Sequence, residues 1–318
     1  MKTLYIIGNG FDIAHGMLTS YSCFCRWLER SKDVNARRVH WALSHLEEYC
    51  NVSDFWGSLE EGLGEVDIEE YLKDIRDEHV GPRGTYIDNY GRVSDAVSAW
   101  YDIDKEYILE NISDFFAKWI RSIKDNVEAD EEFIQWLDPN GLYLSFNYTA
   151  TLENVYHIDT QNILHIHGNA KNKQDYLEFG HGTIYDLEEC EKIGDKVLGF
   201  DADSIAKHYG KELNKLYKDT ELILSRNQQW FDDLSKNAIE KVYCYGLSFG
   251  KVDDLYYEEI VEQVPNAQWT FYIYEGENYA DFAKNNNDVL AFIERMHLDK
   301  KMCKAYDSFF MDREIKLK

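Results

Sequence analysis

The chain has 318 residues and a formal net charge of −25, from 59 acidic and 34 basic residues. This negative charge argues against general nucleic-acid binding and against anionic membranes, because both depend on clustered lysine and arginine. Six cysteines without a C-x-x-C motif, no signal peptide and no apolar segment of membrane-spanning length predict a cytoplasmic protein.

The first stretch, KTLYIIGNGFDIAHGMLTSY, predicts a strand, a glycine turn and a helix. The apolar run 4–7 ends at Gly8, Gly8-Asn9-Gly10 forms the turn, and 11–14 begins a helix. Glycines permit unusual backbone angles and a helix N-terminus attracts anions, so we expect a phosphate or nucleotide site. The spacing matches neither G-x-G-x-x-G, because Ile13 replaces the third glycine, nor a P-loop. A tight turn capped by Asp12 is the alternative.

A helical block follows the first strand. Apolar residues recur at helical spacing over 20–31, 36–50, the acidic stretch 47–78, and 94–126, with a loop at 80–92. The turn Asp138-Pro139-Asn140-Gly141 closes the block. We therefore predict a helical insertion over 20–138 within a single domain, 1–318.

Strands and helices alternate in the remainder. Predicted strands are 142–146, 162–166, 241–247 and 269–274, and predicted helices are 150–157, 203–236, 254–264 and 287–297. This alternation predicts a Rossmann-like, mainly parallel α/β sheet with helices on both faces and the first strand at its centre.

The candidate site follows from the ends of these strands. Ligands of open parallel sheets bind beyond the carboxyl ends, where this chain places Gly8-Asn9-Gly10, 145–149, 165–168 and 246–250. We expect a loop containing Met17-Leu18 to cover a crevice there. The predicted crevice residues are Gly8, Asn9, Gly10, Asn147, His167 and Ser248.

Five motifs in this order resemble the bacteriophage abortive infection AbiH family, from about Thr3 to Tyr257: GNGFDIAHG…TSY, SFNYTATLE, HIHG, FGHG and YGLSFGKVDDLYY. The resemblance implies a bacterial anti-phage protein that harms or arrests the infected host, in response to a phage-derived trigger. Two departures are visible. The family has HGLPTSY where this chain has HGMLTSY. The family commonly has YGHS where this chain has YGLS, so Leu247 cannot act as a histidine.

The AbiH family in turn is similar to sirtuin-like NAD-binding domains. Gly8-Asn9-Gly10 matches their glycine turn, Asn147 their strand-end asparagine, and His167-Gly168 their catalytic histidine and glycine. Where sirtuin-like enzymes usually carry the motif Asn-x-Asp, this chain has Asn147-Tyr148-Thr149. Because sirtuin-like domains of anti-phage systems tend to destroy NAD, the resemblance implies NAD as substrate or ligand and an NAD glycohydrolase activity.

Asn147 and His167 are the predicted catalytic residues. Histidine titrates near neutrality and suits a general base, and an asparagine amide can hold a water or ribose hydroxyls while positive charge develops on the ribose. The predicted nucleotide contacts are Gly8, Asn9, Gly10, Asp12, Ser145, Tyr148, Gly168, Ser248 and Asp253.

Several alternatives stay open at this point. Asn147, Asp12 and Asp253 would each also serve as helix caps, and His167 as a hydrogen-bonded core residue. A metal-dependent hydrolase using His165, His167 and His181 is a second function, although we expect no metal. A non-catalytic nucleotide sensor acting through a partner is a third, and a homo-oligomer is compatible with each.

Overall fold

The computed structural model describes residues 2–81, 85–86, 109–124, 126–198, 203–274 and 279–317. The chain divides into two compact units. We call them the sheet unit, Met1–Ser20, Ile120–Glu178 and Asp219–Lys318, and the helical unit, Tyr21–Trp119 and Phe179–Lys218.

The described residues form nine strands. They are β1 Lys2–Ile7, β2 Val80–Gly81, β3 Thr85–Tyr86, β4 Leu142–Ser145, β5 Ile163–His165, β6 Ile239–Tyr245, β7 Gln268–Ile273, β8 Cys303–Asp307 and β9 Glu314–Ile315. Seven of them form the main sheet in the order β5-β4-β1-β6-β7-β8-β9, while β2 and β3 pair separately. Every pairing in the main sheet is parallel except that of β8 with β9. The predicted α/β class and mainly parallel sheet are therefore confirmed. β1, which was predicted at the centre of the sheet, is an interior strand, third in the order of seven.

The described residues also form thirteen α-helices. They are α1 Asn9–Ala14, α2 Tyr21–Arg30, α3 Val34–Leu46, α4 Leu59–Leu63, α5 Ile68–His79, α6 Leu109–Ser122, α7 Glu131–Trp136, α8 Thr151–Asn154, α9 Leu187–Leu198, α10 Asp203–Asn214, α11 Thr220–Lys236, α12 Asp254–Gln263 and α13 Tyr279–Arg295.

Alternating side chains of β1 build a core on each face of the sheet. Leu4 and Ile6 pack in one cluster with residues of α11, α12 and α13. Tyr5 and Ile7 pack in another with residues of α1, α7 and α8. Because successive side chains of a strand point to opposite faces, one apolar run serves both clusters. Helices thus cover both faces, as predicted.

Some predicted elements differ from those observed. The acidic stretch 47–78 is not one helix but a 3₁₀ turn at Glu47–Tyr49 followed by α4 and α5. The predicted helix 203–236 is two helices, because Asp219 caps α11 through the Leu222 N–H. The predicted helix 150–157 is observed only as the shorter helix α8. A right-handed helix cannot include His157, because its φ of 55° lies in the left-handed region.

Some observed elements were not predicted, and some predicted elements lie partly outside the described residues. Helix α9 and the strands β8 and β9 were not predicted. The predicted loop 80–92 contains the hairpin β2–β3, and residues 87–108, including the start of the predicted helix 94–126, lie outside the described residues.

The helical unit contains a buried ion pair. The Lys218 side chain is 0% exposed, and its Nζ lies 3.1 Å from Oε1 of Glu60. Glu60 also accepts hydrogen bonds from the Tyr21 hydroxyl and the Gly180 N–H, both at 2.8 Å. The Glu60 side chain is 17% exposed, and its carboxylate has three donors, so this pair is a structural feature of the unit.

Candidate active site

Four parallel strands of the sheet unit end in one row. Ile7 of β1 is in register with Ser145 of β4 and with Tyr245 of β6, and Ser145 is in register with His165 of β5. The chain therefore leaves all four strands at the same edge. Two residues further along the chain stand Asn9, Asn147 and His167, all at the carboxyl edge of the sheet.

The glycines of the first turn pack against the turn that follows β6. The N–H groups of Gly8 and Gly10 donate to the carbonyls of Tyr245 and Gly246, each at 2.9 Å. A Cβ on Gly8 would lie 2.4 Å from the Gly246 carbonyl oxygen, and one on Gly10 would lie 2.5 Å from the Gly246 Cα. These glycines therefore allow two backbone turns to touch. Two of the amides expected to face a phosphate donate instead to the protein backbone.

His167 is a buried imidazole held by a carboxylate. It is 3% exposed, and its Nε2 lies 3.1 Å from Oδ1 of Asp253. The rings of Phe146, Tyr148 and Tyr256 surround it at centroid distances of 5.2, 5.9 and 6.3 Å. A carboxylate on one ring nitrogen fixes the orientation and the tautomer of the imidazole, which is the arrangement that general bases use.

Asp253 stands at the N-cap of α12 without capping that helix. Its side chain makes no capping hydrogen bond, and its carboxylate contacts His167 instead. A carboxylate at this position is ordinarily explained by the helix N–H groups and the macrodipole. The direction of this side chain therefore removes the capping alternative and joins two residues that the sequence proposed separately.

Asn147 is buried and does not cap the helix that follows it. Residue 150 is the N-cap of α8, and no side chain caps it. The Asn147 N–H donates to Oγ of Ser145 at 3.2 Å, and its carbonyl accepts from Nδ1 of His165 at 3.1 Å. Among the described residues no donor reaches its buried Oδ1. A buried acceptor of this kind costs about 1–3 kcal/mol and calls for an explanation.

Asp12 connects α1 to the segment after β4. Its two carboxylate oxygens accept the hydroxyls of Thr149 at 2.5 Å and Thr151 at 2.7 Å, and it is 1% exposed. Burial raises the pKa of the Asp12 carboxyl above its ordinary 3.8, although the two hydroxyl bonds act in the opposite direction. Asp12 therefore does not cap α1, and its oxygens already bind partners of the protein.

A second histidine–carboxylate pair was not predicted. Nε2 of His165 lies 2.8 Å from Oε1 of Glu153, which also accepts the Asn169 amide at 3.2 Å. Burial is the largest single influence and lowers the pKa of His165, but Glu153, the Asn147 carbonyl and Asp175 together raise it above the ordinary 6.5. The motifs SFNYTATLE and HIHG contain both residues, but sequence spacing gave no sign that they meet.

The other proposed contacts have varied surroundings. Ser145 is buried, Ser248 is exposed, and the Tyr148 hydroxyl donates to the Glu178 carbonyl at 3.1 Å. Gly168 has a φ of 85°, and a Cβ there would lie 2.4 Å from the Tyr176 carbonyl oxygen, so only glycine fits. Met17 lines a shallow depression together with Tyr148 and Thr149.

The histidines of the metal alternative have other partners. His165 and His167 contact different carboxylates, while His181 belongs to the helical unit and bonds the Leu213 carbonyl at 2.9 Å. In the part of the chain that the structure describes, no group of three or more metal-binding side chains occurs.

The family described as Bacteriophage abortive infection AbiH matches residues 4–273. The chain belongs to the AbiH family. This membership associates the protein with abortive infection of bacteriophage. Neither the curated proteins nor the solved structures give a match to the chain.

The AbiH match extends from residue 4, within β1, to the end of β7 and includes every residue discussed at the carboxyl edge, whereas β8 and β9 lie beyond it. Both pairs, His167 with Asp253 and His165 with Glu153, are thus within the region that defines the family. Among the described residues of this AbiH protein, no helix combines the length and apolar character needed to cross a bilayer.

Proposed function

We propose that this AbiH protein binds NAD at the carboxyl edge of its sheet and hydrolyses it, so that the infected host is arrested. The contact between His167 and Asp253 supports this proposal most, because it couples a buried imidazole to a carboxylate that makes no capping hydrogen bond to its own helix. The likeness of the turn at Gly8 to Gly10, of Asn147 and of His167-Gly168 to sirtuin-like domains belongs to the proposal.

In this proposal His167 acts as the general base. It takes a proton from a water that adds to the ribose carbon, while the bond between that carbon and the nicotinamide nitrogen breaks. The products are nicotinamide, ADP-ribose and one proton. Positive charge develops on the ribose as the bond breaks. Asp253 would hold the imidazole and balance its charge once it is protonated.

Asn147 would supply an acceptor next to the reacting atoms. Its Oδ1 is buried and has no donor among the described residues, so a ribose hydroxyl or the attacking water would satisfy it. The other nucleotide contacts are kept as proposed from the sequence, although the amides of Gly8 and Gly10 and the carboxylate of Asp12 also have partners within the protein. They are Gly8, Asn9, Gly10, Asp12, Ser145, Tyr148, Gly168, Ser248 and Asp253.

Nicotinamide release by the purified full-length protein tests the activity, with and without lysate of phage-infected cells. General base catalysis contributes about 10²- to 10⁴-fold, so His167→Asn should lower turnover by that order. His157→Asn is a matched control, because His157 is exposed and its φ of 55° suits asparagine. Thermal melting of each variant separates loss of activity from loss of folding.

Three outcomes decide between the proposed functions. Release of nicotinamide that depends on His167 supports the glycohydrolase. Binding of NAD without turnover under both conditions favours the non-catalytic sensor. No binding and no turnover contradicts NAD as the ligand.

A further inference from the structure

Both ring nitrogens of His165 face hydrogen-bond acceptors. Nδ1 lies 3.1 Å from the Asn147 carbonyl oxygen, and Nε2 lies 2.8 Å from Oε1 of Glu153. The amide nitrogen of Asn169 donates to the same Oε1 at 3.2 Å and lies farther from Nε2, at 3.3 Å, so the short contact of Nε2 is with the carboxylate. A carbonyl oxygen only accepts, and an ionised carboxylate only accepts. A neutral imidazole carries a single N–H, which would leave a lone pair directed at an oxygen lone pair. The geometry therefore requires one more proton than a neutral histidine and a carboxylate contain.

We infer that His165 is a positioning residue that, as an imidazolium paired with Glu153, holds the main chain at Asn147 in place and releases it on deprotonation. The contacts of His165 are independent of any ligand. The consequence for catalysis rests on the proposed function, because Asn147 acts on the substrate only if that function is correct.

The surroundings of His165 favour the charged form. The side chains of His165 and Glu153 are 11% and 14% exposed, so their attraction is weakly screened. Two further carboxylates interact electrostatically with the imidazole, Asp12 of α1 and Asp175 of the segment after Gly168. The pKa of His165 is raised despite burial, which agrees with the hydrogen-bond geometry.

The two histidine–carboxylate pairs of the sheet unit differ in their use. His165 has acceptors on both nitrogens and is anchored to the backbone at one of them. His167 contacts its carboxylate through Nε2 and is surrounded by aromatic rings. The first arrangement places a proton on each nitrogen and fixes a loop, and the second belongs to the residue proposed above as the general base.

Nuclear magnetic resonance of the imidazole nitrogens tests the inference on the full-length protein without any ligand. We expect both nitrogens of His165 to be protonated at pH 6.5, with a titration midpoint above that value. Glu153→Gln should lower that midpoint by about one pH unit or more, because it removes an opposite charge in contact. A wild-type His165 that is already neutral at pH 6.5 would overturn the inference, whether or not the variant folds.

The positioning role has its own measurement. The backbone amide of Tyr148, which follows the Asn147 carbonyl, should shift with pH at the midpoint of His165, and Glu153→Gln should move both midpoints together. A Tyr148 amide that ignores the titration of His165 contradicts the positioning role. These spectra need no NAD, so failure of the proposed function leaves them unaffected. If NAD is hydrolysed, turnover should fall as pH rises through the same midpoint, and Glu153→Gln should shift that fall.

Discussion

Replacement of Gly246 by alanine should destabilise the protein more than the same replacement of Gly16. Gly246 and Gly16 have φ of 69° and 72°, so both substitutions place alanine in the left-handed region at about 1–2 kcal/mol. Around Gly16 no heavy atom lies within 4 Å of the added Cβ. The Cβ at Gly246 would lie 2.5 Å from the Phe11 backbone nitrogen and 2.7 Å from the Gly10 Cα.

This contact is with backbone, which cannot swing aside as a side chain would. Forcing one extra carbon into a packed position costs about 1–3 kcal/mol, so Gly246→Ala should lose that much more than Gly16→Ala. Urea unfolding followed by far-ultraviolet circular dichroism gives the free energy of unfolding of each variant. Equal losses for the two variants would refute the packing account of the glycine turns. A large loss of NAD binding with unchanged stability would favour the phosphate account instead.

Three further predictions concern buried charged groups. Asp12→Ala should cost about 2–4 kcal/mol of unfolding free energy, because it leaves two threonine hydroxyls without their acceptor, and Asp12→Asn should cost less. The pKa of His165 is raised in the folded state, so its stabilising contribution is complete below pH 6.5 and is lost as pH rises through the folded-state pKa. The free energy of unfolding of the wild type should therefore fall as pH rises across this range, and that of Glu153→Gln should fall less. Lys218→Met should cost about 3–5 kcal/mol, and adding Glu60→Gln should recover part of it in the same unfolding assay; no recovery would contradict the ion-pair account.

Much of the sheet could be predicted from local sequence. The strands β1, β4, β5, β6 and β7 were predicted within two residues, because their apolar runs are bounded by glycine or polar residues. β8, Cys303–Asp307, was missed because Lys304 and Asp307 interrupt a short run. Its burial depends on its position beside β7, which no local pattern shows.

The sequence predicted which residues belong to the site better than it predicted which of them contact each other. His167 was proposed from its place after a strand and Asp253 from the family motif that contains it, but their contact spans 86 residues and depends on the register of the sheet. Glu153 gave no signal, since a carboxylate on a short helix ordinarily faces solvent. Asp12 was proposed as a nucleotide contact, with a local helix cap as the alternative, whereas its observed partners follow β4.

The NAD content of infected cells tests the central claim most directly. Cells that express the wild-type protein, His167→Asn or the control His157→Asn would be infected with a phage that the wild type restricts. We expect NAD to fall after infection and plaques to be suppressed with wild type and control, while His167→Asn preserves NAD and restores plaques. Suppression of plaques by the wild type with NAD unchanged would contradict the account.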